Sequence, residues 1–203
     1  MEPDKQKILK YCQGLFLKDG FYKVSVDEIA NELKMSKKTI YKYFPSKQIL
    51  VKEVIFDFIL ANTSIIKGIV DQDSDAVSKF HLIVRTIAGI LMRGMDRLFG
   101  EIQRHMPELW EEIDSFRSKL ILENFSRIIE QGKKEKYFID IPTTLILNVF
   151  LSAIRGVVTP QFLMNNKFSA VEALNHTISI LMNGILTEKG KKIFNRLKTG
   201  EDQ

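Results

Sequence analysis

Apolar residues recur at helical spacing along nearly the whole chain, and this pattern most constrains what the chain can fold into. Ile8, Cys12 and Leu15 repeat at i, i+4 and i+7 near the N-terminus, and similar stripes return further along. No segment sustains the alternation of apolar and polar residues that is typical of strands. The pattern therefore predicts an all-α protein with about nine to ten helices.

Capping residues, glycines and prolines predict where the helices begin and end. Ser25, Ser36, Ser46 and Ser169 each precede an apolar-periodic segment, the position where serine caps the first backbone N–H groups. The first predicted helix ends near residue 19. The following ones cover about 26–33, 37–43, 47–70, 76–94, 96–105, 107–131, 140–159, 170–186 and 189–197.

The positive charge of the chain is concentrated near its N-terminus. Residues 1–50 contain 10 Lys against 6 Asp and Glu, whereas residues 51–203 contain 20 Lys and Arg against 19 Asp and Glu. Between Glu32 and Glu53 there is no acidic residue, but there are lysines at positions 34, 37, 38, 42, 47 and 52. A basic stripe on a near-neutral body is typical of nucleic-acid binding. On charge alone, a solvated helix face explains it equally well.

Two short predicted helices, 26–33 and 37–43, are joined by a tight turn. The first directs Ile29, Ala30 and Leu33 inward, and the second leaves Ile40 and Phe44 for the core. A helix of this size fits the major groove of B-DNA, and residues near its N-terminus reach base edges. The segment over about residues 25–44 therefore predicts a helix-turn-helix.

At these residues the chain resembles the DNA-binding signature of the tetracycline-repressor (TetR) family. The resemblance lies in Gly20 to Ala30 and Met35 to Lys47, and it covers about residues 5–52. The run Tyr-x-Tyr-Phe-x-Ser-Lys over residues 41–47 is characteristic of the family. The rest of the chain is similar in length and helical layout, with a segment at Pro107–Trp110 of a kind seen in some members.

The resemblance implies a set of DNA-contacting residues. Ser25 and Lys47 would contact phosphates, Tyr41 and Tyr43 would brace them, and Lys42 would face the bases. The remaining members would lie at the groove, near bases and backbone: Ser36, Lys37, Lys38 and Thr39.

Two features shape the expected DNA recognition. Lys34 stands where the family turn usually carries a glycine, so we expect a turn of different shape, because a left-handed backbone strains lysine. No arginine precedes Arg85. Base recognition therefore cannot use the arginine fork on guanine, and we expect modest direct readout with strong salt dependence.

The predicted organisation is a DNA-binding domain over residues 1–46 and a ligand-binding and dimerisation domain over residues 47–203. The resemblance implies that the last two long helices form a four-helix bundle with those of a second subunit. Two stripes would form this homodimer interface, although an ordinary monomer core explains them too: Leu145, Val149, Ser152 and Gly156 on one helix, and Leu174, Ile178, Leu181 and Ile185 on the other.

The middle of the chain is rich in methionine and aromatic residues, which suit adaptable apolar pockets but also simply fill cores. An apolar cavity there would accept a hydrophobic small-molecule effector, with a polar end held by Gln103 or His105. The candidate lining residues are Met92, Met95, Phe99, Gln103, His105, Trp110 and Phe150.

Other classes of protein find little support in the sequence. It contains no catalytic motif, its three histidines have no metal-ligand spacing, and we expect neither enzymatic activity nor a metal or cofactor. A lone cysteine, Cys12, and the lack of a signal peptide or membrane-length apolar stretch indicate a cytoplasmic protein without membrane contact.

We therefore expect a ligand-responsive repressor that binds a palindromic operator as a dimer. The alternative is a ligand-binding or scaffolding helical protein whose DNA-binding face is vestigial. A further alternative is a regulator of the same fold that activates transcription or that uses no ligand.

Overall fold

A computed structural model describes residues 2–199, except for the side chain of Pro160. Residue 1 of the first predicted domain and residues 200–203 of the second lie outside the described residues. The described part is helical, as predicted, and its helices are α1 (Pro3–Asp19), α2 (Val26–Leu33), α3 (Lys37–Tyr43), α4 (Lys47–Val70), α5 (Ala76–Ile90), α6 (Asp96–His105), α7 (Pro107–Lys134), α8 (Thr143–Val157), α9 (Pro160–Asn166), α10 (Ala170–Ile185) and α11 (Glu188–Thr199).

Serine caps begin several helices where the sequence predicts them. The hydroxyl oxygen of Ser25 accepts a hydrogen bond from the backbone N–H of Glu28, and the Glu28 carboxylate accepts one from the Ser25 N–H. Ser169 and Glu172 form the same reciprocal pair at the start of α10. Each box satisfies two backbone donors that the first helical turn leaves without partners.

The helix boundaries differ from the predictions at several places, among them the start of α8 at Thr143. A π-helical turn, Leu91–Met95, joins α5 to α6, and Gly94 within it has φ of 90°. Helix α7 continues past Gly132 to Lys134, and the Phe138 ring packs where a side chain at position 132 would lie. Helix α9 was not predicted, and it begins after Thr159, whose hydroxyl caps the Phe162 N–H.

The chain divides into two compact units. The first unit contains the residues up to Asn62 together with Arg93–Asp114, and the second contains Thr63–Met92 together with the chain from Ser115 onward. These units reflect how densely residues pack against each other, and they do not test the predicted boundary near residue 46 between the DNA-binding and ligand-binding domains.

Each unit has its own apolar core. In the first unit, α1 contributes Ile8, Cys12 and Phe16, all fully buried. In the second unit, the Phe80 ring makes edge contacts with Phe125 and Phe150, at centroid distances of 5.4 and 5.7 Å. None of the helices within residues 2–199 is long and apolar enough to cross a membrane.

Candidate nucleic-acid interface

Helices α2 and α3 pack against each other through the residues that the sequence assigns to the core. Ile29, Ala30 and Leu33 of α2 are buried, and so are Ile40 of α3 and Phe44 just after it. Because these apolar side chains are used internally, the opposite face of α3 is left to solvent.

The turn between the two helices has the left-handed shape, so the expectation of a different turn is wrong. Lys34 has φ of 54° and ψ of 41°. The N–H of Met35 donates to the Ala30 carbonyl at 2.9 Å, and the N–H of Lys34 donates to Asn31 at 3.1 Å. These two bonds satisfy carbonyls at the end of α2, and they hold lysine in a conformation that glycine adopts at lower cost.

The solvent-facing side of α3 presents Lys37, Lys38, Tyr41 and Lys42, all exposed. Their spacing places them on one side of the helix. The Ser36 hydroxyl caps α3 by accepting from the Thr39 N–H at 3.0 Å, and its oxygen lies 2.8 Å from the Thr39 hydroxyl oxygen. Lys37, Lys38, Tyr41 and Lys42 thus form one continuous exposed face, with Thr39 half-buried beside it.

Not every lysine on this face is equally available to DNA. The Lys37 ammonium forms an ion pair with Asp27 at 2.8 Å, and the hydrogen bond to that carboxylate raises the pKa of Lys37. Among the described residues, Lys38 and Lys42 have no acidic partner, and the Lys42 ammonium lies 5.2 Å from the centre of the Tyr43 ring. Lys38 and Lys42 can therefore contact a phosphate or a base without first breaking an ion pair, unlike Lys37.

The two tyrosines of α3 have different surroundings. Tyr41 is 39% exposed. The Tyr43 hydroxyl is bound to the Glu2 carboxylate, and this hydrogen bond raises the pKa of Tyr43 to about 12. Tyr41 therefore offers a hydroxyl to solvent, whereas Tyr43 would have to leave Glu2 to brace a phosphate.

Ser25 and Lys47 lie at the starts of α2 and α4. The exposed Ser25 is engaged in the capping box, and bonds from the Ser25 N–H and hydroxyl lower the pKa of Glu28. The Lys47 ammonium donates to the carbonyl of Tyr22 at 2.9 Å, and burial lowers the pKa of this half-buried lysine, while nearby Glu101 and Glu28 act in the opposite direction. Because an ammonium has three N–H groups, Lys47 retains donors for a phosphate.

The residues predicted to line one effector pocket belong to both compact units. Met92 and Phe150 belong to the second compact unit, with Met92 73% exposed and Phe150 in the core. The remaining members belong to the first unit: Met95, Phe99, Gln103, His105 and Trp110.

Within the first unit, these remaining residues also have separate environments. Phe99 and Trp110 make an edge contact at 5.7 Å between ring centres, and Met95 is fully buried. Gln103 is exposed, and His105 stacks on Tyr22 at 3.9 Å. The set therefore mixes core and surface positions.

The two predicted dimer stripes also differ from each other. On α8, Leu145, Val149, Ser152 and Gly156 are all exposed. On α10, the structure corrects the prediction: Leu174, Ile178 and Ile185 are buried in the core of their own chain, and Leu181 packs against that core. Helical spacing finds the apolar face of α10, but Leu174, Ile178 and Ile185 on that face are covered by their own chain.

Sequence reasoning missed the contacts that α6 makes with the N-terminal segment. The Glu101 carboxylate accepts hydrogen bonds from the N–H groups of Phe21 and Tyr22, at 2.8 and 3.1 Å. These partners are about 80 residues apart in the chain, so no local spacing or capping signal connects them.

Two short crossing helices, a closed turn between them and an exposed basic face on the second define a helix-turn-helix DNA-binding protein. Residues 8–54 match the family described as bacterial regulatory proteins, tetR family. The regulator YvaF of Bacillus subtilis (strain 168), an HTH-type transcriptional regulator, is 24% identical over 189 residues, which cover 91% of this chain and 96% of YvaF.

Solved structures share the fold across nearly the whole chain. A transcriptional regulator from Cytophaga hutchinsonii has a TM-score of 0.75 at 22% identity, covering 90% of this chain and 98% of that one. A regulator from Saccharomonospora viridis in complex with choline has a TM-score of 0.72 at 19% identity, covering 93% and 100%. The family match covers the DNA-binding segment of the chain, residues 8–54, and the rest of the chain shares the fold of these regulators. The matched family and these relatives are transcriptional regulators, and residues 8–54 of this chain carry the family's DNA-binding segment.

Proposed function

We propose that this protein is a repressor that binds a palindromic operator as a homodimer and releases it when a small molecule binds. The observation that carries the DNA part is the exposed face of α3, where Lys38, Tyr41 and Lys42 lie side by side without acidic partners among the described residues. A major groove admits one such helix, and lysine ammonium groups bind both phosphates and acceptor atoms on guanine.

The experiment for this part is sequencing of genomic fragments retained by the purified protein. A dimer with two equivalent heads should select an inverted repeat, with half-sites separated by about one helical turn or a multiple of it. Retained fragments that share no motif would contradict sequence-specific operator binding. Fragments with a single, unrepeated site would contradict the palindrome.

For the dimer face we propose a surface that combines the predicted stripe of α8 with the outer side of α10. Leu145 and Val149 are 55% and 45% exposed, and Ile180 of α10 is 73% exposed. A Cβ atom added at Gly156 or Gly184 would meet no atom of the chain within 4 Å. Exposed apolar side chains beside small residues suit close helix–helix packing, so this surface replaces the buried α10 stripe.

Ligand control is the third part of the proposal. The second unit has more helices than two subunits need to pair. Its core contains the packed rings of Phe80, Phe125 and Phe150. Aromatic rings favour apolar or cationic ligands, and the related Saccharomonospora viridis protein holds choline. We therefore propose a small apolar or amphipathic effector.

Thermal-shift measurements with choline and a panel of apolar compounds test this part, with each stabilising compound then added to a preformed DNA complex. An effector can release DNA only by binding the DNA-free state more tightly than the DNA-bound state. We expect stabilising compounds to weaken the operator complex. Compounds that stabilise the protein and leave operator affinity unchanged would contradict ligand-gated repression.

A further inference from the structure

One face of α6 is built to contact the end of α1 and the loop that follows it. Arg97, Glu101 and His105 recur every four residues, so they lie on the same side of the helix. Each of the three contacts the segment from Leu17 to Tyr22, and all of these residues belong to the first compact unit.

Arg97 closes the C-terminal end of α1. Its guanidinium donates to the carbonyl of Leu17 at 2.8 Å and to the carbonyl of Lys18. The last carbonyls of a helix have no partners within the helix, and they carry the negative end of its dipole. A guanidinium therefore suits this position in both hydrogen bonding and charge.

Glu101 holds the loop that follows. One oxygen of its carboxylate accepts from the N–H groups of both Phe21 and Tyr22. The other oxygen lies over Gly20, where a Cβ atom would be only 2.1 Å away. Gly20 has φ of 79°, a conformation that glycine adopts readily, and its lack of a side chain leaves room for the carboxylate.

The same loop also holds Lys47, the proposed phosphate contact at the start of α4. The Tyr22 N–H donates to Glu101, and the Tyr22 carbonyl accepts from the Lys47 ammonium at 2.9 Å. The ammonium also lies 6.0 Å from the centre of the buried Phe21 ring. Fixing the Tyr22 backbone therefore fixes the position of the ammonium.

We propose that Glu101 is a positioning residue for DNA binding, which acts through the Tyr22 backbone on Lys47, while Arg97 anchors α6 to the end of α1. Glu101 itself does not need to touch DNA. The inference rests on the proposed phosphate contact of Lys47, which the single variant Lys47→Ala tests separately.

The experiment measures binding of the full chain to a mixed-sequence duplex of about 30 base pairs across a range of salt concentrations. Glu101→Ala removes the acceptor, Glu101→Asp shortens its reach, and Glu101→Gln keeps an oxygen at the same reach without the charge. Glu111→Ala is the matched control, because it removes an exposed carboxylate from α7 in the same unit. Thermal unfolding of each variant accompanies the titrations.

We expect Glu101→Ala and Glu101→Asp to weaken binding by about tenfold, and to lower the slope of log affinity against log salt by about one, as loss of one phosphate contact does. Glu101→Gln should bind like the wild type, because an amide oxygen still accepts both N–H groups. Adding Glu101→Ala to Lys47→Ala should cause no further loss, because the two residues act through one contact.

Several results would overturn the proposal. Losses that add in the double variant, or a Glu101→Asp variant that binds like the wild type, would show that Glu101 does not act through Lys47. A Glu101→Gln variant as weak as Glu101→Ala would show that charge matters rather than reach. If Lys47→Ala itself binds like the wild type, the phosphate contact fails first, and the positioning role fails with it.

Discussion

Lys34 holds a backbone conformation that lysine rarely adopts. Its φ of 54° places it in the left-handed region, at the end of α2 where the chain turns into α3. The side chain is exposed and has no acidic partner among the described residues. The strain is therefore carried by the backbone at the centre of the helix-turn-helix, where two backbone hydrogen bonds hold Lys34 in this conformation.

Relieving this strain should stabilise the protein. A non-glycine residue in the left-handed region costs about 1 kcal/mol. We expect Lys34→Gly to raise the free energy of unfolding by about 1 kcal/mol in chemical denaturation. Lys34→Ala removes the same charge and keeps the strain, so it should leave the unfolding free energy nearly unchanged. Equal effects of the two variants would mean that charge, not backbone strain, governs stability here.

At the residue scale, local signals were predictable and distant pairs were not. The Ser25–Glu28 capping box was predictable, because a serine followed three residues later by a glutamate commonly caps the start of a helix. The bond from Lys47 to the Tyr22 carbonyl joins residues 25 positions apart. That bond depends on how α4 crosses the α1–α2 loop, which no spacing in the sequence specifies.

The element scale is governed by how helices begin and end. Predicted starts at Ser25, Ser36 and Ser169 are confirmed, because a capping hydroxyl acts within one turn. The turn at Leu91–Met95 was not predictable, because it contains Gly94, whose close approach to a distant segment the sequence does not show. A Cβ atom at Gly94 would lie 2.6 Å from the carbonyl oxygen of Leu17. Such approaches between distant segments decide where α5 ends and α6 begins.

The capping box of α2 should make stability depend on pH. Hydrogen bonds from Ser25 lower the pKa of Glu28 below its ordinary value of 4.5. Their stabilisation is therefore complete above that value, and it is lost as the pH falls through the lowered pKa. Protonation then leaves a weaker acceptor for the Ser25 N–H.

Chemical denaturation between about pH 5 and pH 2 checks this. The unfolding free energy of the wild type should fall more steeply than that of Glu28→Gln, which keeps the box without a titrating group. Glu32→Gln removes a carboxylate from the same helix outside the box, so it should retain the wild-type dependence. Parallel curves for the wild type and Glu28→Gln would contradict a role for the box in acid stability.

At the scale of the whole molecule, the fold class and the helix-turn-helix were predictable, but which helix faces stay exposed was not. Periodicity marks an apolar side of a helix without telling which neighbour covers it. On α8 the predicted stripe is exposed at Leu145 and Val149, whereas on α10 Leu174 and Ile178 point into the core. Only the packed chain distinguishes these two outcomes.

Gly156 tests the proposed assembly. A Cβ atom at this exposed position meets no atom beyond the adjoining helix backbone within 4 Å, so Gly156→Leu should leave the isolated chain folded. In a dimer that buries this face, the leucine would hold the helices apart, at a cost of about 1–3 kcal/mol. Gly68→Leu is the matched control, because Gly68 is equally open on α4.

Sedimentation equilibrium measures the outcome of both variants. We expect the wild type and Gly68→Leu to be dimers, and Gly156→Leu to dissociate about tenfold or more readily. A monomeric wild type at micromolar concentration would rule out the dimer. A Gly156→Leu variant that dimerises as tightly as the wild type would place the interface on another face.

The most direct test of the central claim is a binding titration of the wild type and Lys42→Ala, on a duplex that the wild type selects and on a scrambled duplex. Lys192→Ala, which removes an exposed charge from α11, is the control. If the exposed face of α3 reads DNA, Lys42→Ala weakens binding to the selected duplex by about tenfold and narrows the difference between the two duplexes. Lys192→Ala should leave both affinities unchanged. A Lys42→Ala variant that binds both duplexes as the wild type does would contradict recognition of DNA by this face.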